Sequence, residues 1–233
     1  MSLSNADIDD IVSRYRARLA EHGMGPKALG WMKERQTLRL AALLEPHAVA
    51  GRTILDVGCG LGDLIPLLQA RADGDFRYIG VDLMEEFAQE AERRHGSLPN
   101  VEFHCADFLA FEPGHDVDVV LGCGLFNHQL ASSDFDAYLD SMLRRATALA
   151  GEGFAFDFLS SRVDYEIPAA QHSDPLMILE RAYDCSRRVL VRNDYLPFEF
   201  SVHVFTQSQI DAQRVAFEVG SVGADFGPDI PAG

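Results

Sequence analysis

Three glycines at alternate positions, Gly58, Gly60 and Gly62, follow an apolar run (Ile54, Leu55, Val57) that holds one aspartate, Asp56. Apolar residues resume at Leu64, Ile65, Leu67 and Leu68. The pattern predicts a buried strand, a tight turn carrying Cys59, and a helix, which is half of a βαβ unit. Without a Cβ, the glycines let a ligand lie directly against the main chain. Amides at the start of the helix are expected to offer donors to oxygens. A second acidic residue, Asp82, closes the next apolar run (Ile79, Val81) just before Leu83, one helix and one strand beyond the turn. A carboxylate at the carboxyl end of such a strand can accept both hydroxyls of a ribose. Its competing role is a turn or helix cap. A third, Asp107, stands with Phe108 at the end of a predicted strand over 101–108.

These side chains need a scaffold. A weakly amphipathic helix is predicted over 8–19 and a second over 33–44, the latter carrying Arg39. Arg39 reads either as a cation meeting a ligand carboxylate or as a solvated helix residue. Trp31, in the loop between the helices, is either core packing or a wall over a ligand. The run Val117, Val119, Val120 and Leu121 suits a central parallel strand, opened at its carboxyl end by Gly122, Cys123 and Gly124. Phe126 and Asn127 are expected to border a substrate. Ser133 and Asp134 start a helix whose stripe (Phe135, Tyr138, Leu139, Met142, Leu143, Ala146, Leu149) is core packing. A strand over 153–160 holds Asp157, which either faces the cleft or braces a loop. Residues 162–173, with Tyr165, Pro168 and His172, lack periodicity and sit where a lid or substrate loop belongs. Asp174 and Pro175 start another helix. Two strands joined around Leu196 and Pro197 follow, and the tail after Phe226 is predicted to fray.

The 233 residues suffice for one sizeable core, and 47% hydrophobic with 24% charged residues is ordinary globular composition. Lysine and arginine number 20 against 36 acidic residues, a formal charge of −16, which argues against a nucleic-acid substrate. The four cysteines, Cys59, Cys105, Cys123 and Cys185, include no C-x-x-C pair, so reduced thiols are expected and no metal site. The polar amino terminus is not a secretory signal, and no apolar run reaches the length of a membrane span. A cytoplasmic, soluble protein is expected.

A dinucleotide-binding turn reads G-x-G-x-x-G, whereas here the spacing is G-x-G-x-G behind an aspartate. In this the chain resembles the class I S-adenosylmethionine-dependent methyltransferases, and the motif order supports it over most of residues 53–205. The resemblance implies a single, doubly wound, mostly parallel α/β sheet of seven strands, order 3-2-1-4-5-7-6, with the last strand antiparallel and helices on both faces. It divides the chain into an amino-terminal helical cap (1–50), a Rossmann-like core (51–226) and a flexible tail (227–233). It implies S-adenosyl-L-methionine as cofactor and S-adenosyl-L-homocysteine as product. Asp56, Gly58, Cys59 and Gly60 would line the methionine part, with Arg39 toward its carboxylate. Asp82 and Leu83 would hold the ribose, and Asp107 and Phe108 the adenine. Gly122, Cys123 and Asn127 would flank the amine and the transferred methyl group. The acceptor is expected to be a small molecule, with oxygen preferred as the attacking atom. His128, then Asp157, His172 and His203, are the candidates for a general base, none of them assigned. The rivals are a dehydrogenase-like nucleotide binder, a methyltransferase of protein or RNA, and a catalytically silent cofactor-binding subunit. The exposed face of the amino-terminal helices leaves room for a homodimer.

Overall fold

The computed structural model describes residues 2–30 and 33–207. Trp31 and the carboxyl-terminal segment from 208, including the expected tail, lie outside them. The elements run α1 (Asn5–His22), α2 (Lys33–Leu44), β1 (Arg52–Val57), α3 (Ile65–Ala72), β2 (Phe76–Asp82), α4 (Glu85–His95), β3 (Val101–Cys105) and β4 (Val117–Gly122). There follow α5 (Phe135–Leu149), β5 (Ala150–Ser160), β6 (His172–Ser173), α6 (Pro175–Cys185), β7 (Val189–Arg192) and β8 (Glu199–Phe205).

The strands form one sheet in the order β3-β2-β1-β4-β5-β8-β7. All the neighbours from β3 to β5 pair in parallel, and β8 runs antiparallel to both β5 and β7. This is the expected seven-strand order, with one addition. The two-residue β6 pairs with the end of β5 at Leu159 and Ser160, because the irregular 161–171 loop returns alongside it. The β3 strand is shorter than predicted and ends at Cys105, which leaves Asp107 and Phe108 in the loop. Likewise β4 stops at Gly122, and residues 123–127 turn away from the sheet.

Strand residues alternate between two cores, as a sheet buried on both faces requires. Leu55, Val57, Ile79, Val81 and Val120 pack against α5 and α6 through Leu139, Met142, Leu143, Ala146 and Ile178. On the other face, Ile54, Tyr78, Val119 and Leu121 meet α2 and α3 through Leu40, Leu43, Leu44, Ile65 and Leu68. A third, smaller cluster joins α1 to the glycine turn and the start of α4: Val12, Tyr15 and Leu19 pack on Leu29, Leu61, Met84 and Phe87. In register, Val57 lies opposite both Val81 and Gly122, so the carboxyl ends of β1, β2 and β4 open at one level. Among the described residues, no helix is long and apolar enough to cross a membrane, and no three His, Cys, Asp or Glu side chains gather as metal ligands.

Candidate active site

The glycine turn closes over the ends of β1 and β2. Gly58, Gly60 and Gly62 all have positive φ (67°, 54° and 77°), a region that favours glycine. A Cβ at Gly58 would come within 2.6 Å of Leu125, and one at Gly60 within 3.1 Å of Leu29. Four amides of the turn itself are already occupied. Gly58 and Cys59 donate to the Val81 carbonyl at 2.8 and 3.1 Å, and Gly62 to that of Cys59 at 3.0 Å. Gly60 donates to Asp82 Oδ2 at 2.8 Å. What the turn offers a ligand is close approach to the backbone.

A cavity lies directly above this turn. Asp56, Gly58, Gly60, Asp82, Leu83, Asp107, Phe108 and Cys123 line it from the sheet side, and Ile11, Tyr15 and Leu29 from the amino-terminal side. Two of its carboxyl groups are buried at strand ends. Asp56 accepts from the Tyr78 hydroxyl at 2.8 Å, yet burial, with the Asp82 and Asp63 charges behind it, pushes it up to about 7. Asp82 also accepts from the Met84 amide at 2.8 Å, and burial raises it to about 6 despite these bonds. In Asp107, Oδ1 accepts from the Leu109 amide at 3.0 Å.

The remaining expected site residues fall elsewhere. Cys59 is buried behind the turn, packed with Tyr78 and Ile65 rather than exposed to the cavity. Gly122 lies beneath Leu125, whose Cδ1 would meet its Cβ at 2.4 Å. Arg39 is buried and paired through two nitrogens with Glu199, a residue of β8. Phe126, expected against substrate, is 2% exposed and stacks on Phe158 with ring centroids 4.9 Å apart. Asp157 is a brace: its Oδ1 accepts from the Gly124 amide at 2.5 Å and Oδ2 from the Cys123 thiol at 3.6 Å. Burial raises this carboxyl to about 6.

A second cavity adjoins the first, the two sharing Tyr15, Leu29, Gly124 and His128 as walls. Asn127 and Arg39 line this second space. Buried Asn127 Oδ1 finds no hydrogen-bond partner among the described residues. His128 Nε2 lies 3.2 Å from the Tyr15 hydroxyl, and burial, then Arg14 and Arg18, lower its imidazole to about 4. The other candidate bases are committed. His172 bonds the Ser160 carbonyl through Nδ1 at 2.8 Å and accepts from the Ile167 amide through Nε2 at 3.0 Å. His203 is fully buried between Ser201 (3.1 Å) and His47 (3.3 Å).

Residues 54–148, from β1 through α5, match a family described as "Methyltransferase domain". The sheet order and the cavity at the strand ends agree with that match. Over residues 54–148 the chain is thus similar to a methyltransferase domain. Solved structures reproduce the fold well beyond the matched segment. The magnesium protoporphyrin IX methyltransferase of Synechocystis PCC 6803, with bound SAM, superposes at a TM-score of 0.62 and 17% identity, over 89% of this chain and 100% of that one. DhpI in complex with SAH gives 0.62 and 21%, over 86% and 97%. Human N-acetylserotonin methyltransferase in complex with SAM gives 0.62 and 14%, over 86% of this chain and 59% of that one. No curated protein matches the chain in sequence.

The candidate site is walled partly by residues that sequence reasoning passed over: Tyr15, Met84 and Phe87, together with Tyr138 and Met142 of the core-packing stripe, all line the first cavity. A signal was present for the second cavity: Arg14 and Arg18 on α1, and Arg35 and Arg39 on α2, are each spaced to share one helix face.

Proposed function

We propose that the protein transfers a methyl group from S-adenosylmethionine to a small molecule, with the cofactor in the first cavity and the acceptor in the second. The observation that carries this reading is that the two cavities meet at Gly124, Tyr15 and His128, beside the buried strand-end carboxylates. The residues present suit the cofactor. The glycine cradle has no room for a Cβ, Asp82 suits ribose hydroxyls, and Asp107 with Phe108 suits an amine edge and a flat face. Asp56 and Asp82 are favourable neighbours for a cation, which would draw both toward ionisation. When bound, S-adenosylmethionine supplies an electrophilic methyl carbon on a sulfonium, open to in-line displacement.

The chain's own part is alignment, exclusion of water and handling of one proton. Residues 1–50 cap the site, with Ile11, Tyr15 and Leu29 closing the side opposite the sheet. Asp157 holds the 122–124 strand end in place through Gly124 and Cys123. Asn127 Oδ1 accepts a hydrogen bond from the acceptor. His128, neutral at physiological pH, takes the proton of an attacking hydroxyl at Nε2, which is the reason to favour oxygen as the attacking atom.

A screen of phenols, amines and small acids with labelled methyl donor identifies the acceptor. With that acceptor, His128→Asn is expected to lower kcat by about 100-fold while leaving affinity for S-adenosylhomocysteine intact. An unchanged kcat would remove His128 from the chemistry and the preference for oxygen with it.

A further inference from the structure

The second cavity carries a charge at odds with the rest of the molecule. In a chain of net charge −16, Arg14, Arg18, Arg35 and Arg39 line it, against a single lining carboxylate, Glu199, among the described residues. Glu199 is taken by Arg39. Arg14 makes a half-exposed pair with Asp10 at 2.9 Å, an arrangement of little net strength that a ligand can displace. Neither Arg18 nor Arg35 has an ion-pair partner among the described residues.

Both arginine pairs, 14 with 18 and 35 with 39, place like charges one helical turn apart. Such spacing is unfavourable in an isolated helix, and an anion seated between them relieves it. Arg18 is held in place. Its Cζ lies 5.7 Å from the centre of the Tyr15 ring, and its Nη1 lies 2.6 Å from where a Cβ on Gly30 would stand. The same Tyr15 ring meets the His128 ring, 5.4 Å between centroids. A cation and the candidate base therefore contact one phenol ring. Apart from Asn127, His128 and His172, the rest of the described wall is apolar or aromatic, with Tyr165 and Phe198 in ring contact at 5.6 Å.

We propose that the second cavity selects methyl acceptors bearing an oxyanion, a carboxylate or a phosphoryl group, on an aromatic body, with Arg14, Arg18 and Arg35 holding the oxyanion and the reacting end directed to His128. A planar guanidinium donates two parallel hydrogen bonds to either group, so three arginines give both affinity and orientation. This inference rests on the methyltransferase reading for the direction of the reacting end, but the anion site itself can be tested apart from it.

Calorimetric titration of the full chain, with and without saturating S-adenosylhomocysteine, compares para-hydroxybenzoate and phenyl phosphate with the neutral para-hydroxybenzamide and phenol. The anions are expected to bind at least about tenfold more tightly than their neutral counterparts. That preference should fall to near parity in Arg18→Gln and in the exposed Arg35→Gln, with affinity for S-adenosylhomocysteine as the check on folding. The stronger of the carboxylate and phosphate arms names the group. Equal binding of neutral and anionic probes, a preference that survives both substitutions, or no binding of any probe would overturn the inference while cofactor binding keeps the methyltransferase reading. Absent binding of S-adenosylhomocysteine with a retained, arginine-dependent anion preference would do the reverse.

Discussion

The Asp56 carboxyl is buried at the end of the central strand with one hydroxyl donor and two other carboxylates nearby. Its value is raised from 3.8 unfolded to about 7 folded, so the folded state favours the proton. The sign follows: its contribution to stability is most favourable below about pH 4 and is lost as pH rises toward 7. Above pH 7 the fold bears the full cost of a buried charge, on the order of a few kcal/mol. Asp56→Asn keeps the shape and an acceptor for Tyr78 without the charge. It should melt at a higher temperature than the parent at pH 8, with the difference shrinking toward pH 5. A difference independent of pH would show that Asp56 does not titrate as described. Such a carboxylate, retained despite its cost, suits a site that receives a cation. Asp56, Gly58, Gly60, Asp82 and Asp107 could be found in the sequence as cavity-lining residues because each sits at or just beyond a strand end, where a local pattern announces it. Arg39 could not be resolved, since its partner Glu199 lies 160 residues along the chain.

At the scale of elements, α1 is latched to the loop after β4. Buried Asp7 accepts from the amides of Ala131 (2.8 Å) and Ser132 (3.1 Å), and the Ser4 amide donates to Ser133 Oγ at 2.8 Å. The hydroxyl of Ser133, with Ser4 and those amides, holds the Asp7 carboxyl well below the usual range against the effect of its burial. Arg16 adds an exposed bond to Glu86 of α4 at 2.7 Å. Asp7→Ala leaves two loop amides without their acceptor, a loss of about 1–3 kcal/mol. Proteolytic cleavage within residues 1–30 should rise and affinity for S-adenosylhomocysteine should fall in step. Cleavage unchanged from the parent would mean that α1 is held by its apolar face alone. The helix itself was legible from its spacing, but the latch was not, because it joins residues 4 and 7 to residues 131–133. For the same reason Tyr15 was not legible as a wall of the site: its apolar neighbours announce a helix, while its partner His128 is 113 positions away.

Across the whole molecule, charge is sorted between two adjoining spaces. Carboxylates line the first cavity and arginines the second, with Tyr15, Gly124 and His128 between them. A cationic donor and an anionic acceptor would thus be drawn to opposite sides of one boundary, which favours the alignment that displacement needs. The net charge of −16 hid this, since an average over the chain says nothing about a face that collects arginines from two helices. The sheet order was legible because parallel strands, glycine turns and the final hairpin each leave a local pattern. The occupied amides of the glycine turn were not, because their acceptors on β2 are supplied by the sheet register.

The central claim, that the glycine-turn cavity holds S-adenosylmethionine, is tested most directly by calorimetric titration with S-adenosylhomocysteine, with NAD in parallel and Asp82→Asn as the site control. Saturable one-to-one binding of S-adenosylhomocysteine, none of NAD, and a loss of about tenfold or more in the variant are predicted. Absence of binding, a preference for NAD, or equal affinity in Asp82→Asn would contradict the assignment of the cavity.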